Sequence, residues 1–175
     1  MSKQRPEKFQ KMSVEQLNVI LKPYRPMRCW DVGLAYGSVV RFEMGDKIQK
    51  KTLKGEYYFD GSMSFWLYAD VWKIYEHGVE VVNSETVSRE FVENVLRQKN
   101  VEKCLGVFSQ DRKSKALSVS FVRGVKIVIL PKMIEMDERD DFINLFLPDN
   151  QIVGWSSKRG LYITKETAES SENFR

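Results

Sequence analysis

SFWLYADVWKIY, residues 64–75, is the least polar stretch of the chain, and the expected architecture is built around it. Both of its alternating sets are apolar: Phe65, Leu67, Ala69 and Val71 in one phase, Trp66, Tyr68, Trp72 and Ile74 in the other, with Asp70 among the second set. Successive side chains of a strand point to opposite faces, so a run that is apolar in both phases reads as a central strand covered above and below. Downstream, His77-Gly78 supplies a two-residue hairpin turn, because Gly takes positive φ freely and His tolerates it. The chain then returns as a strand over 79–82.

The same period of two recurs on both sides. Upstream, Trp30, Val32, Leu34 and Tyr36 alternate with smaller or polar residues, and Val40, Phe42 and Met44 alternate with Arg41 and Glu43 before a turn at Gly45-Asp46. Residues 47–61 read as a polar loop with an edge strand around Tyr57 to Phe59. Downstream, short strands are expected at 104–108, 117–121 and 125–130, the last stopped by Pro131, and again at 142–147, 152–157 and 160–164. Residues 133–141 form an acidic loop or short helix.

Two segments have helical period. Ser13-Val14-Glu15-Gln16 is a capping box, followed by Val14, Leu17, Ile20 and Leu21 on one side, and Pro23 and Pro26 stop that helix. A second helix is expected over 85–98, capped by Asn83 or Ser84, with Val87, Phe91, Val95, Val92 and Leu96 as its apolar stripe. With eight to ten short strands, two helices, hairpin-length links and no repeating strand-helix-strand unit, the expected fold is α+β. It is a strongly bent antiparallel sheet or partly open barrel with the helices packed on it. The domain is expected to run over 13–165, between a basic flexible tail at 1–12 and a second flexible tail at 166–175.

Composition narrows the function. The chain has 175 residues, 42% of them hydrophobic and 30% charged, with a net charge of +4, which suits one soluble globular domain. No apolar run approaches the roughly 18 residues of a membrane span. The N-terminus has no apolar region of the kind a secretory signal carries, so a cytoplasmic location is expected. Two cysteines and one histidine exclude a disulfide scaffold or zinc finger, and no cofactor or metal is expected. Charge is strongly blocked: 1–54 and 112–132 are basic, 55–111 and 133–149 acidic.

Candidate chemistry is sparse. A thiolate nucleophile needs a base, and nothing in the sequence brings Cys29 or Cys104 to His77. Asp137, Glu138, Asp140 and Asp141 could offer oxygen ligands to a hard cation but lack the alternating spacing and central Gly of a calcium loop, so they read as a solvated or partner-facing acidic patch. No glycine-rich phosphate loop occurs. Two basic runs could track a phosphate backbone: Lys47, Lys50, Lys51 and Lys54, followed by the stackable rings of Tyr57, Tyr58 and Phe59, and Arg112, Lys113 and Lys115 in a turn. Trp66, Tyr68, Asp70 and Trp72 have the composition of a protein-recognition hot spot if their face is open, and of ordinary core if it is covered.

A resemblance adds a specific expectation. Gly37-Ser38-Val39-Val40-Arg41-Phe42-Glu43-Met44-Gly45, then Ala69-Asp70-Val71-Trp72-Lys73-Ile74, then Phe146-Leu147-Pro148-Asp149 and Trp155 resemble a pattern of small uncharacterised bacterial proteins, some of them similar to toxin-immunity proteins. The resemblance spans 30–165 and implies a non-catalytic protein that neutralises a bacterial toxin by covering its active or substrate-binding surface. On that reading the partner is a cognate toxin. Against a basic nuclease, the stretch from Glu135 to Asp141 is the natural contact, helped by Trp66, Tyr68, Asp70 and Trp72. The alternative is a nucleic-acid-binding accessory protein using 47–54 and 112–115.

Overall fold

A computed structural model describes residues 9–35, 39–52, 54–68, 71–86, 88–122, 124–131, 141–156 and 158–165. Residues 1–8 of the expected N-terminal tail, the expected C-terminal tail at 166–175 and most of the acidic segment 133–141 lie outside these residues. The described chain is α+β, with two helices and twelve strands in two antiparallel sheets, neither closed into a barrel.

The stretch 64–75 is not one central strand. It contributes the end of β4 (Tyr57–Leu67) and the start of β5 (Trp72–Glu76), which belong to different sheets. Phe65 and Leu67 point into the core from the first sheet, Trp72 and Ile74 from the second, and all four are buried. The inward phase shifts from odd to even positions as the chain crosses between layers. A phase change looks the same in sequence as a strand that is apolar on both faces.

The larger sheet has the order β1 (Gln10–Lys11), β12 (Gly160–Lys165), β11 (Gln151–Ser156), β10 (Ile143–Phe146), β4, β3 (Val40–Lys51), β2 (Cys29–Leu34). Residues 10 and 11, expected in the tail, pair with Ile163 and Tyr162. The smaller sheet has the order β6 (Val79–Asn83), β5, β9 (Lys126–Ile129), β8 (Leu117–Phe121), β7 (Leu105–Gln110). His77 and Gly78 form the β5–β6 turn with φ of 50° and 83°, as their residue types require. The layers meet in an aromatic core, where Phe42 stacks on Phe65 at 5.5 Å and on Phe121 at 5.0 Å, and Phe65 meets Phe108 edge-on at 6.0 Å. Their edges are stitched where Cys29 N–H donates to Lys103 C=O and Glu102 N–H to Cys29 C=O, at 2.9 and 2.7 Å.

Helix α1 (Val14–Leu21) keeps its capping box: Ser13 Oγ accepts from Gln16 N–H at 3.2 Å, and Gln16 Oε1 accepts from Ser13 N–H at 2.7 Å. Helix α2 (Arg89–Asn100) starts later than expected. Ser88 caps it by accepting from Phe91 N–H at 3.2 Å, while Asn83 accepts from Glu85 N–H in the preceding turn. The buried stripe of α2 is Val92, Leu96 and Asn100, and Phe91 is exposed. Val95 of the expected stripe also packs against the core from a half-buried position. Each helix also closes a sheet edge, α1 at β7 and α2 at β2, where Glu93 Oε1 accepts from Leu34 N–H at 3.3 Å and the Arg89 guanidinium donates to Leu34 C=O. Side chains thus occupy hydrogen-bonding positions that another strand would otherwise take.

Candidate nucleic-acid interface

Residues 47–61 are not a loop. β3 and β4 pair with their outer neighbours β2 and β10 only over 40–44 and 64–67. Beyond a bulge between Met44 and Lys47, they pair only with each other, as far as Lys51 and Tyr57. The result is a two-stranded ribbon beyond the sandwich. Its root is shaped by Gly61, where a Cβ would lie 2.5 Å from Met44 C=O, and by the Ser62 hydroxyl, which accepts from Asp46 N–H at 3.0 Å.

Register sorts the ribbon's side chains. Lys47 faces Gly61, Gln49 faces Phe59 and Lys51 faces Tyr57, so Lys47, Gln49, Lys51, Tyr57 and Phe59 share one face. This face continues the alternation that buries Leu67, Phe65 and Met63, carried past the end of the second sheet. The rings therefore stay open, Tyr57 at 66% and Phe59 at 49% exposure. Lys51 Nζ lies 5.5 Å from the Tyr57 ring centroid and Lys47 Nζ 4.7 Å from that of Trp30, close enough for cation–π attraction. The opposite face carries Ile48, Lys50, Tyr58 and Asp60, and there Lys50 Nζ meets Asp60 Oδ2 at 2.7 Å. One face is thus basic and aromatic, and the other has its charge neutralised.

Beneath the root, on the outer face of the larger sheet, lies Glu43, 1% exposed. Its Oε2 accepts from Gly61 N–H and Ser64 Oγ–H, both at 2.6 Å. Arg41 Nε is 3.0 Å from Oε1, out of hydrogen-bonding alignment, and so acts as a nearby charge. Burial outweighs these partners and raises the carboxyl above its ordinary range.

The other residues singled out from the sequence are scattered. Trp66 is half-buried on the outer face of the sheet, under Arg41 at 5.7 Å and beside Tyr68 and Phe146, both at 5.8 Å. Burial pushes the Tyr68 phenol up to about 12. Trp72, expected beside them, is 1% exposed and belongs to the core. Asp141 accepts from Tyr162 O–H at 2.5 Å, and with the Asn144 amide turned to satisfy both its ends, that side chain donates to the same oxygen at 3.0 Å. Asp70, Glu135, Asp137, Glu138 and Asp140 lie outside the described residues. Lys54 is exposed in the turn at the ribbon tip.

Arg112, Lys113 and Lys115 surround the β7–β8 turn, which is organised by Asp111 Oδ1 accepting from Lys113 N–H at 3.0 Å and from Ser114 N–H at 2.6 Å. The start of β7 lies near the ribbon root, because Gly45 N–H donates to Arg28 C=O and Arg28 bridges to Cys104. The turn therefore lies a strand's length away, about 20 Å for six residues. The two basic runs do not meet at the root. Cys29 is buried, with its thiol pushed up to about 12 by burial, and Cys104 is half-buried.

Sequence reasoning missed Trp30 as part of the ribbon face and could not separate Lys50 from its neighbours. Among the described residues, no three His, Cys, Asp or Glu side chains are grouped to hold a metal ion, and no helix is long and apolar enough to cross a membrane. A groove of about 810 Å³ between α1 and the β1–β12 edge, floored by Met12, Val19, Ile20 and Ile163, lies across the sheet from the ribbon. No family model, curated protein or solved structure matches the chain.

Proposed function

We propose that this chain is a non-enzymatic binding protein that holds nucleic acid on the β3–β4 ribbon. The observation that carries the reading is the sorting of charge on the ribbon. Lys47 and Lys51 share a face with two open rings and no carboxylate among its cross-strand pairs, while Asp60 is on the other side against Lys50. Cations beside exposed aromatic rings suit a ligand that offers phosphates and flat bases together. The test is anisotropy of a labelled oligonucleotide against salt, with Lys47, Lys51 and Lys54 replaced by Gln. Tight binding in low salt, with a log–log slope reduced in the variant, is expected. No binding by the unaltered protein in low salt would overturn the reading.

A second reading keeps the expectation from resemblance, an immunity-type protein that covers a toxin's working surface. Trp66, Tyr68 and Arg41, close together and half-buried on the outer sheet face, favour it, since Trp, Tyr and Arg dominate interface hot spots. One protein retained stoichiometrically after nuclease treatment, and lost on Trp66→Ala, would place this reading first.

A further inference from the structure

We infer that the ribbon face is a stacking platform for single-stranded rather than duplex nucleic acid, with Tyr57 and Phe59 each taking one base. The inference rests on the nucleic-acid reading above and narrows it. Tyr57 and Phe59 are two residues apart on one strand, which sets their attachment points about 6.8 Å apart along the ribbon. Both rings are open. That spacing suits successive bases of an extended, unstacked strand. A duplex buries its base faces in its own stack and leaves such rings nothing to stack on.

A β-ribbon can also enter the major groove of a duplex, but groove readers meet base edges with Arg, Lys, Asn or Gln. Lys47, Gln49 and Lys51 on this face are of those types, but Gln49 and Lys51 each lie directly across from a ring, Phe59 and Tyr57, and open ring faces match exposed base faces rather than base edges. Lys47 and Lys51 sit on β3 alongside β4, which carries the rings, so a strand stacked on β4 would run its phosphates past β3. A second copy of this chain is a poorer occupant, since two such faces brought together would oppose Lys47, Lys51 and Lys54 to their like.

The test uses the full chain and an oligothymidylate of about 12 nucleotides, inside the range of single-strand site sizes, beside a duplex of equal length, both read by anisotropy in low salt. The single strand is expected to bind more tightly. Tyr57→Ala and Phe59→Ala should each weaken it by between about 5-fold and about 150-fold, the range seen when a stacking ring is removed. Tyr57→Phe should keep affinity, because the ring face and not the hydroxyl does the work. Circular dichroism of each variant confirms that the open positions leave the fold intact. If the duplex binds as tightly and the alanine variants bind like the parent while the lysine variants lose affinity, the single-strand inference falls and the nucleic-acid reading stands. If neither probe binds, both fall. If sedimentation shows a dimer that Tyr57→Ala dissociates, the face belongs to a second copy and the inference is overturned.

Discussion

The side-chain amide of Asn18 hydrogen-bonds the backbone of Phe108 in both directions: Nδ2 donates to Phe108 C=O at 2.8 Å and Oδ1 accepts from Phe108 N–H at 2.9 Å. One amide on α1 thereby imitates the next strand at the open edge of β7, and Arg25 steadies it by donating to Asn18 Oδ1 at 3.1 Å. Asn18→Ala leaves both Phe108 groups without this partner and is expected to cost about 1–3 kcal/mol. Urea unfolding checks this, and an unchanged midpoint would show that water replaces the amide without loss.

Phe42 lies between Phe65 and Phe121 and joins the two layers. It is fully buried. Phe42→Ala is expected to lower stability by about 3–5 kcal/mol, whereas Phe59→Ala, on the open ribbon, should stay within about 0.5 kcal/mol of the parent. Comparable losses at the two positions would mean that the ribbon face is covered.

Glu43 ties the ribbon to the sheet through Gly61 and Ser64. Its carboxyl is raised in the folded protein chiefly by burial, so between its ordinary and raised values the native state holds a proton that the unfolded chain has released. This contribution to stability is fully present in acid and is lost as pH rises through the raised value. Glu43→Gln, uncharged throughout, should flatten that part of the profile. Thermal midpoints measured from about pH 4 to about pH 8 compare the two; parallel profiles would mean that Glu43 folds already ionised at no cost.

Lys50 and Lys51 are neighbours in sequence and opposites in setting. Lys51→Gln should reduce the slope of log affinity against log salt for a single strand by about 0.7, the share of one phosphate contact. Lys50→Gln, which removes a cation already paired with Asp60, should leave the slope unchanged. Equal effects would show that binding follows net charge and ignores the face.

Local chemistry was legible in the sequence wherever a structure is closed by residues three or four apart. The Ser13–Gln16 box and the His77-Gly78 turn are of this kind, and the alternation of Val40, Phe42 and Met44 needs only a period of two. The α+β class follows from the number and spacing of such segments. The remaining features depend on partners far apart in the chain. The phase shift between Leu67 and Trp72 shows only when two sheets are present to receive the two phases. Lys47 reaches Trp30 only because β3 returns beside β2, and Lys51 and Lys50 part company only once the β3–β4 register is set across the bulge at Gly45. Asn18 and Phe108 meet across 90 residues. Periodicity reports which side chains share a face of one element. Which faces are then covered, and by what, is settled by packing between elements, and that packing leaves Tyr57 and Phe59 open while burying Trp72.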